Sequence, residues 1–188
     1  MLLSEHKDLK LEIKSLPEKE KDKLLLRLIA KDKVLTEHLH FKLMENEADL
    51  EERQARLMMQ IDEGIKELSF IKKPNSKDAL LKMRKLSGSI NHHLKVTKDV
   101  NSELELRIHL LRNMPIDFNE SVFSALHKYN EKLMVYFAKS SATAFAKYQK
   151  LHEDLQFDLK PLMAELLEKV HHHKTGAMAK ELKLPESL

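Results

Sequence analysis

The stretch "KDKLLLRLIAKDKVLTEHLHFKLM", residues 21–44, decides the fold class because it packs apolar residues around a single polar step. The short polar turn Lys31-Asp32-Lys33 separates a helix that should end near Ala30 from a second helix. Apolar residues of this second helix fall all round a helical wheel, so it should be covered on more than one side. The stretch therefore predicts two helices folded onto each other.

The composition supports a helical protein. The 188 residues are 42% apolar and 34% charged and include three glycines, a balance that favours helix formers. The chain has no cysteine, which excludes disulfides, thiolate metal sites and cysteine nucleophiles and fits a reducing compartment. The N-terminus turns polar after two leucines, and Arg27 interrupts the densest apolar run. We therefore expect a cytoplasmic protein that does not associate with membranes.

Helix start and stop signals divide the rest of the chain. Ser15 and Glu18 offer a capping pair around Pro17, and Asn46 can cap a long amphipathic helix. The segment 72–76 breaks the pattern and is the best candidate for an internal joint.

Similar signals continue in the second half. Asp117 with Glu120 predicts another capped helix, and Asp158 predicts a last helix with Pro161 in its first turn and Gly176 as its stop. The spacing from Val122 to Tyr136 is that of a seam between antiparallel helices, which could also join two copies as a homodimer.

These patterns predict an all-α fold of stacked helical hairpins, either an α-α superhelix or an irregular helical bundle. Sustained period-two alternation is missing, so we expect no sheet. Residues 1–115 should form a region of repeat-like hairpins, and residues 116–188 should form a C-terminal helical hairpin packed on it. We expect the whole to be one compact domain.

The first stretch is similar in sequence to a later stretch of the chain. A shift of 67 residues pairs Lys31-Asp32 with Lys98-Asp99 and aligns several apolar positions, among them Ile29 with Val96, Leu39 with Leu106, Phe41 with Ile108, Leu43 with Leu110 and Met44 with Leu111. Over Leu16 to Met114 this plan resembles the paired helices of HEAT and armadillo-like repeats. That resemblance implies stacked helix pairs that bury a shared core, although the spacing exceeds the roughly 40 to 47 residues of such repeats. Chance alignment of amphipathic helices explains the echo equally well.

Two Glu-x-x-His spacings raise the possibility of a metal site. A carboxylate and an imidazole at this spacing can reach one metal from the same helix face, as in di-metal carboxylate bundles. The candidate ligands are Glu37, His40, Glu165, Glu168 and His171. A magnesium-dependent nucleotide pyrophosphatase would need Glu-x-x-Glu followed by Glu-x-x-Asp, and only the Glu165/Glu168 half is present. We therefore expect no metal and no cofactor.

The run His171-His172-His173 has two interpretations. Imidazoles in the last turn suit the negative end of a helix dipole, and Gly176 follows as a stop. Binding of a divalent metal by the run would need further ligands from elsewhere. Catalytic loops are also missing, since Gly64, Gly88 and Gly176 are scattered and lack a phosphate-loop or nucleophile-elbow context.

Charge is segregated along the chain. Residues 45–63 carry seven acids and two bases, whereas residues 66–98 carry nine bases and two acids. Several bases of the second segment lie opposite the apolar stripe of their helix and should form a ridge facing solvent: Lys82, Arg84, Lys85, His92 and Lys95. The acidic helix could instead pack beside this ridge and neutralise it.

The sequence thus predicts a non-catalytic helical interaction module or scaffold whose basic face contacts an acidic protein. A helical repeat protein that binds nucleic acid without sequence preference is one alternative. A metal-dependent helical-bundle enzyme is the other.

Overall fold

The computed structural model describes residues 3–121, 123–172 and 174–188, and these residues form helices, turns and loops without a β-strand. The prediction of an all-α protein is confirmed. Val122, the first residue of the predicted seam, and His173, the last of the histidine run, lie outside the described residues. A short 3-10 turn, Leu3–Glu5, precedes α1 Lys7–Ser15, α2 Glu18–Ile29, α3 Lys33–Met44, α4 Glu47–Phe70, α5 Ser76–Thr97, α6 Val100–Asn113, α7 His127–Tyr148, α8 Glu153–His172 and α9 Gly176–Glu181.

The chain divides into two compact units, Met1–Glu45 and Asn46–Leu188, which we call the N-terminal and C-terminal units. The boundary predicted after residue 115 falls inside the C-terminal unit, in the loop between α6 and α7. Every helix in the described parts of both units is too short or too polar to traverse a bilayer.

Both Lys-Asp steps are corners between helices, and the cap predicted at Asn46 is confirmed. Asp32 accepts a hydrogen bond from the Leu35 amide at 3.1 Å, and Asp99 accepts one from the Ser102 amide at 2.7 Å, so both Lys-Asp steps are corners that start a helix. Asn46 forms a capping box with Asp49 at the start of α4.

Three predicted boundaries were wrong. Ser15 ends α1 instead of capping α2. No helix starts at Asp117, because the Glu120 carboxylate caps α5 instead, accepting hydrogen bonds from the amide and hydroxyl of Ser76 at 2.8 and 2.6 Å. The last long helix, α8, starts at Glu153 and runs through Pro161.

The core of the C-terminal unit surrounds α6. This helix packs against α4, α5, α7 and α8, and its four leucines and its isoleucine are almost fully buried. The prediction of a helix covered on several sides, made for α3, is wrong for that helix, in which no residue is buried, and describes α6 instead. Leu133 of the predicted seam is fully buried in this core, so α7 uses that position inside its own unit.

Two charged side chains, one fully buried and one partly buried, make hydrogen bonds at the two ends of α6. The fully buried Glu103 carboxylate accepts hydrogen bonds from Arg107 on α6 and from Lys147 on α7, each at 2.6 Å. At the other end of the helix, the Lys169 ammonium donates to the carbonyls of Leu111, Arg112 and Met114. Lys169 thereby satisfies backbone acceptors that the end of a helix leaves without partners.

Candidate functional site

The helices α4 and α5 form an antiparallel hairpin, and their register determines which charges meet. A Cβ on the buried Gly64 of α4 would lie 3.2 Å from Leu86 of α5, so glycine lets the two helices approach closely. Toward the hairpin turn, Glu67 pairs with Lys82. Toward the open end, Leu57 and Val96 line the same depression.

That depression is a groove of about 520 Å³, here called the basic groove. Arg53 and Arg56 enter it from α4, and Lys85 and His92 enter it from α5. The other lining residues are Leu57, Gln60, Gly88, Ser89, His93 and Val96. The groove is open at Gly88, because a Cβ built there meets no atom within 4 Å.

The five residues of the predicted ridge do not share one surface. Lys85 and His92 line the basic groove, whereas Lys82 pairs with Glu67 and is only 20% exposed. Arg84 lies on the side of α5 that faces α7, with its guanidinium 5.5 Å from the centre of the Tyr136 ring. Lys95 is exposed in the last turn of α5, outside the groove lining.

The acidic helix α4 therefore neutralises only part of the basic face. Its Glu67 pairs with Lys82 of α5, whereas its Asp62 pairs at 2.5 Å with His109 of α6, outside the basic face. At the groove, α4 presents two arginines instead of acids. Arg56 has Glu52 at 3.6 Å, but both side chains are largely exposed, so this pair screens the arginine weakly.

Arg53 and Arg56 are the site residues that sequence reasoning missed. They lie within residues 45–63, which have seven acids and only these two bases. The segment was therefore interpreted as acidic, and the position of the two arginines on the side of α4 that faces α5 was not considered. A wheel of α4 could have found them, because Arg53, Leu57 and Gln60 follow helical spacing and all three line the groove.

His93 forms part of the groove wall as a neutral group. Its Nε2 lies 2.8 Å from Ser102 Oγ, and burial lowers the pKa of the imidazole below its ordinary value of 6.5. Asp99 and Glu103 oppose this shift, and Arg53 and His92 add to it. The fixed positive charge of the groove at neutral pH thus comes from Arg53, Arg56 and Lys85.

The state of His93 predicts a pH dependence of stability. The unfolded chain binds a proton at this histidine near pH 6.5, whereas the folded chain resists it, so stability should fall as the pH drops below about 6.5, by up to about 1.4 kcal/mol per pH unit. Urea unfolding between neutral and mildly acidic pH measures this slope. His93→Gln should flatten it, and His92→Gln, which changes an exposed neighbour, should not. Equal slopes in both variants would contradict the assignment.

The metal-ligand candidates fall in both units. Glu37 and His40 belong to the N-terminal unit, where His40 Nδ1 lies 2.8 Å from Glu45 Oε1. In the C-terminal unit Glu165 pairs with Arg112, Glu168 is exposed, and His171 Nε2 lies 3.0 Å from the Pro185 carbonyl. Among residues 3–121, 123–172 and 174–188, no group of three or more His, Asp or Glu side chains is placed to hold a metal ion.

His171 and His172 form the end of α8, shortly before Gly176. His172 Nδ1 is 3.0 Å from the Glu168 carbonyl, so this ring contacts the last turn of its own helix. Gly176 starts α9, and a Cβ there would lie 2.7 Å from the His171 carbonyl oxygen. Glycine is therefore required by close backbone approach where α8 gives way to α9.

Comparison of the chain with protein-family models, with curated proteins and with solved structures finds no match.

Proposed function

We propose that the protein is a non-catalytic helical interaction module and that its basic groove binds an acidic segment of a partner protein. The observation that supports this most is the convergence of four basic side chains from two helices on one open groove, Arg53, Arg56, Lys85 and His92. An isolated basic residue on a surface is ordinarily solvated, but several around one concavity produce a common positive potential.

The groove chemistry suits carboxylates on a peptide. Arginine guanidinium groups bind carboxylates through paired hydrogen bonds, and Lys85 adds a mobile point charge. Leu57 and Val96 lie at the base of the groove, where an aliphatic side chain of the ligand would find apolar contacts. A segment that alternates acidic and aliphatic residues fits both features.

A nucleic acid fits the groove less well. Proteins that bind single strands without sequence preference combine a basic groove with aromatic rings on which bases stack. The described residues that line this groove include no Phe, Tyr or Trp, and its volume accommodates a few side chains. Phosphate contacts along a duplex would need a longer basic track.

Reversal of one groove charge tests the proposal. Lys85→Glu should weaken binding of a fluorescently labelled peptide of alternating glutamate and leucine by about tenfold or more. Lys95→Glu is the matched control, because it makes the same charge change at an exposed position of the same helix outside the groove. Fluorescence anisotropy at low and moderate salt measures both affinities, and binding should weaken as salt rises.

A second variant tests the groove without changing its charge. Gly88→Leu places a side chain in the open space and should also weaken peptide binding about tenfold. Gly88→Ala should leave binding nearly unchanged and raise helix stability by about 1 kcal/mol. Equal affinities for Lys85→Glu and Lys95→Glu would overturn the proposal, as would tighter binding of a labelled oligothymidine than of the acidic peptide.

A further inference from the structure

Many apolar residues of the N-terminal unit are exposed in its described part. In residues 3–45 the 3-10 turn and helices α1, α2 and α3 contain no buried residue. Many of the exposed apolar side chains are leucines, and ten residues are prominent: Leu3, Leu9, Leu11, Leu24, Leu25, Leu26, Leu28, Leu35, Leu43 and Met44. The densest apolar stretch of the sequence is thus accessible to other molecules.

A unit of this size needs a partner to bury such residues. Chains of about 40 residues rarely enclose a sufficient core without disulfides, metals or association, and this chain has no cysteine. The seven of these side chains that lie on α2 and α3 together present on the order of 700 Å², close to the roughly 800 Å² that each partner contributes to a standard protein interface.

The charges of the unit identify the kind of partner. Residues 1–45 contain ten Lys and Arg and nine Asp and Glu, so the unit is nearly neutral. Along Glu18–Lys23 the signs alternate residue by residue. Helices that bind membrane surfaces carry a strongly basic polar face, which this unit lacks. A protein partner with a strongly charged surface would require a surface of the opposite charge on this unit. A mixed surface is complementary to itself, because each sign can meet the opposite sign in a symmetric pair.

We propose that the N-terminal unit is a dimerisation element, in which the exposed apolar faces of α2 and α3 pack against the same faces of a second copy of the chain. The interface is isologous, so each apolar residue contributes twice. This proposal is independent of the basic groove, which lies in the C-terminal unit.

A matched pair of substitutions tests the dimer in the full chain. Leu28 on α2 and Leu81 on α5 are the same residue type, lie within helices and are each 54% exposed. Leu28→Glu should raise the dissociation constant of the dimer at least about a hundredfold, because a carboxylate enters the interface from both copies. Leu81→Glu should leave the dimer intact. Sedimentation velocity over the micromolar range measures the association of each.

A second measurement covers the case in which Leu28→Glu unfolds its helix. Leu28→Cys gives the chain a single thiol and leaves an uncharged side chain there, so a bismaleimide reagent should join two copies efficiently. Leu81→Cys should remain largely uncrosslinked under the same conditions. A wild-type chain that sediments as a monomer throughout overturns the proposal, as does equal dissociation of both glutamate variants. A monomer that co-sediments with anionic lipid vesicles would assign the apolar face to membranes instead.

Discussion

Replacing Glu103 by glutamine should lower the free energy of unfolding by about 3–5 kcal/mol, because it leaves the buried Arg107 and the partly buried Lys147 without their anion. Arg107 and Lys147 each donate to this carboxylate at 2.6 Å, and Arg107 also donates to Asn91 Oδ1 at 2.7 Å. The carboxylate thereby links α6 to α7 directly and to α5 through Arg107. Glutamine keeps the volume but supplies no charge.

Urea unfolding at neutral pH measures this effect, and Glu105→Gln is the matched control two residues along the same helix. Glu105 is only partly buried and accepts a hydrogen bond from the neutral Gln54 at 2.6 Å, so its replacement should cost less than about 1 kcal/mol. If the Glu103→Gln and Glu105→Gln variants were equally stable, water would have to solvate Arg107 and Lys147 in place of the carboxylate.

Phe137→Ala should cost about 3–5 kcal/mol, the range for removal of a buried aromatic ring from a core. Phe137 is fully buried on α7, and the Lys169 ammonium lies 5.6 Å from the centre of its ring. Burial lowers the pKa of Lys169 to about 8, with Asp117 opposing the shift and Arg112 adding to it. The ring face favours the charged form of this ammonium, as do Asp117 and the three carbonyls that accept its hydrogen bonds.

Two further variants separate the ring's volume from its interaction with the cation. Phe157→Ala changes a largely exposed phenylalanine of α8 and should alter stability by less than about 0.5 kcal/mol. Phe137→Leu fills most of the cavity and should cost about 1–2 kcal/mol, while lowering the pKa of Lys169 further because the ring face is lost. Urea unfolding measures the stabilities, and NMR titration of the lysine side chain measures the pKa. A pKa unchanged in Phe137→Leu would show that the ring contributes packing alone.

Local sequence signals predicted the helices well and their long-range partners poorly. Asp32, Asn46 and Asp99 cap helices that begin at the next residue, so each cap is encoded within three positions. Glu120 carries the same type of signal, yet its partner Ser76 is 44 residues away. Such a pairing depends on how the loop before α7 returns to α5, which no local pattern specifies.

The candidate site was predictable to a similar extent. Lys85 and His92 follow from the wheel of α5, because both lie off its apolar stripe. The contribution of Arg53 and Arg56 depends on the register between α4 and α5, which close packing at Gly64 helps to fix. A count of charges along the chain contains no information on this register. It therefore assigned Arg53 and Arg56 to an acidic segment and missed two of the four basic groove residues.

Because α6 is enclosed, its position determines how the C-terminal unit must unfold before the α6 amide hydrogens can exchange. Four helices cover it, so its amide hydrogens can reach solvent only when the surrounding helices separate together. None of the helices described in residues 3–45 is enclosed in this way, so their backbone can exchange through local fraying. We therefore expect slow, cooperative amide exchange in the part that carries the groove, and protection of the first three helices only if the proposed dimer forms.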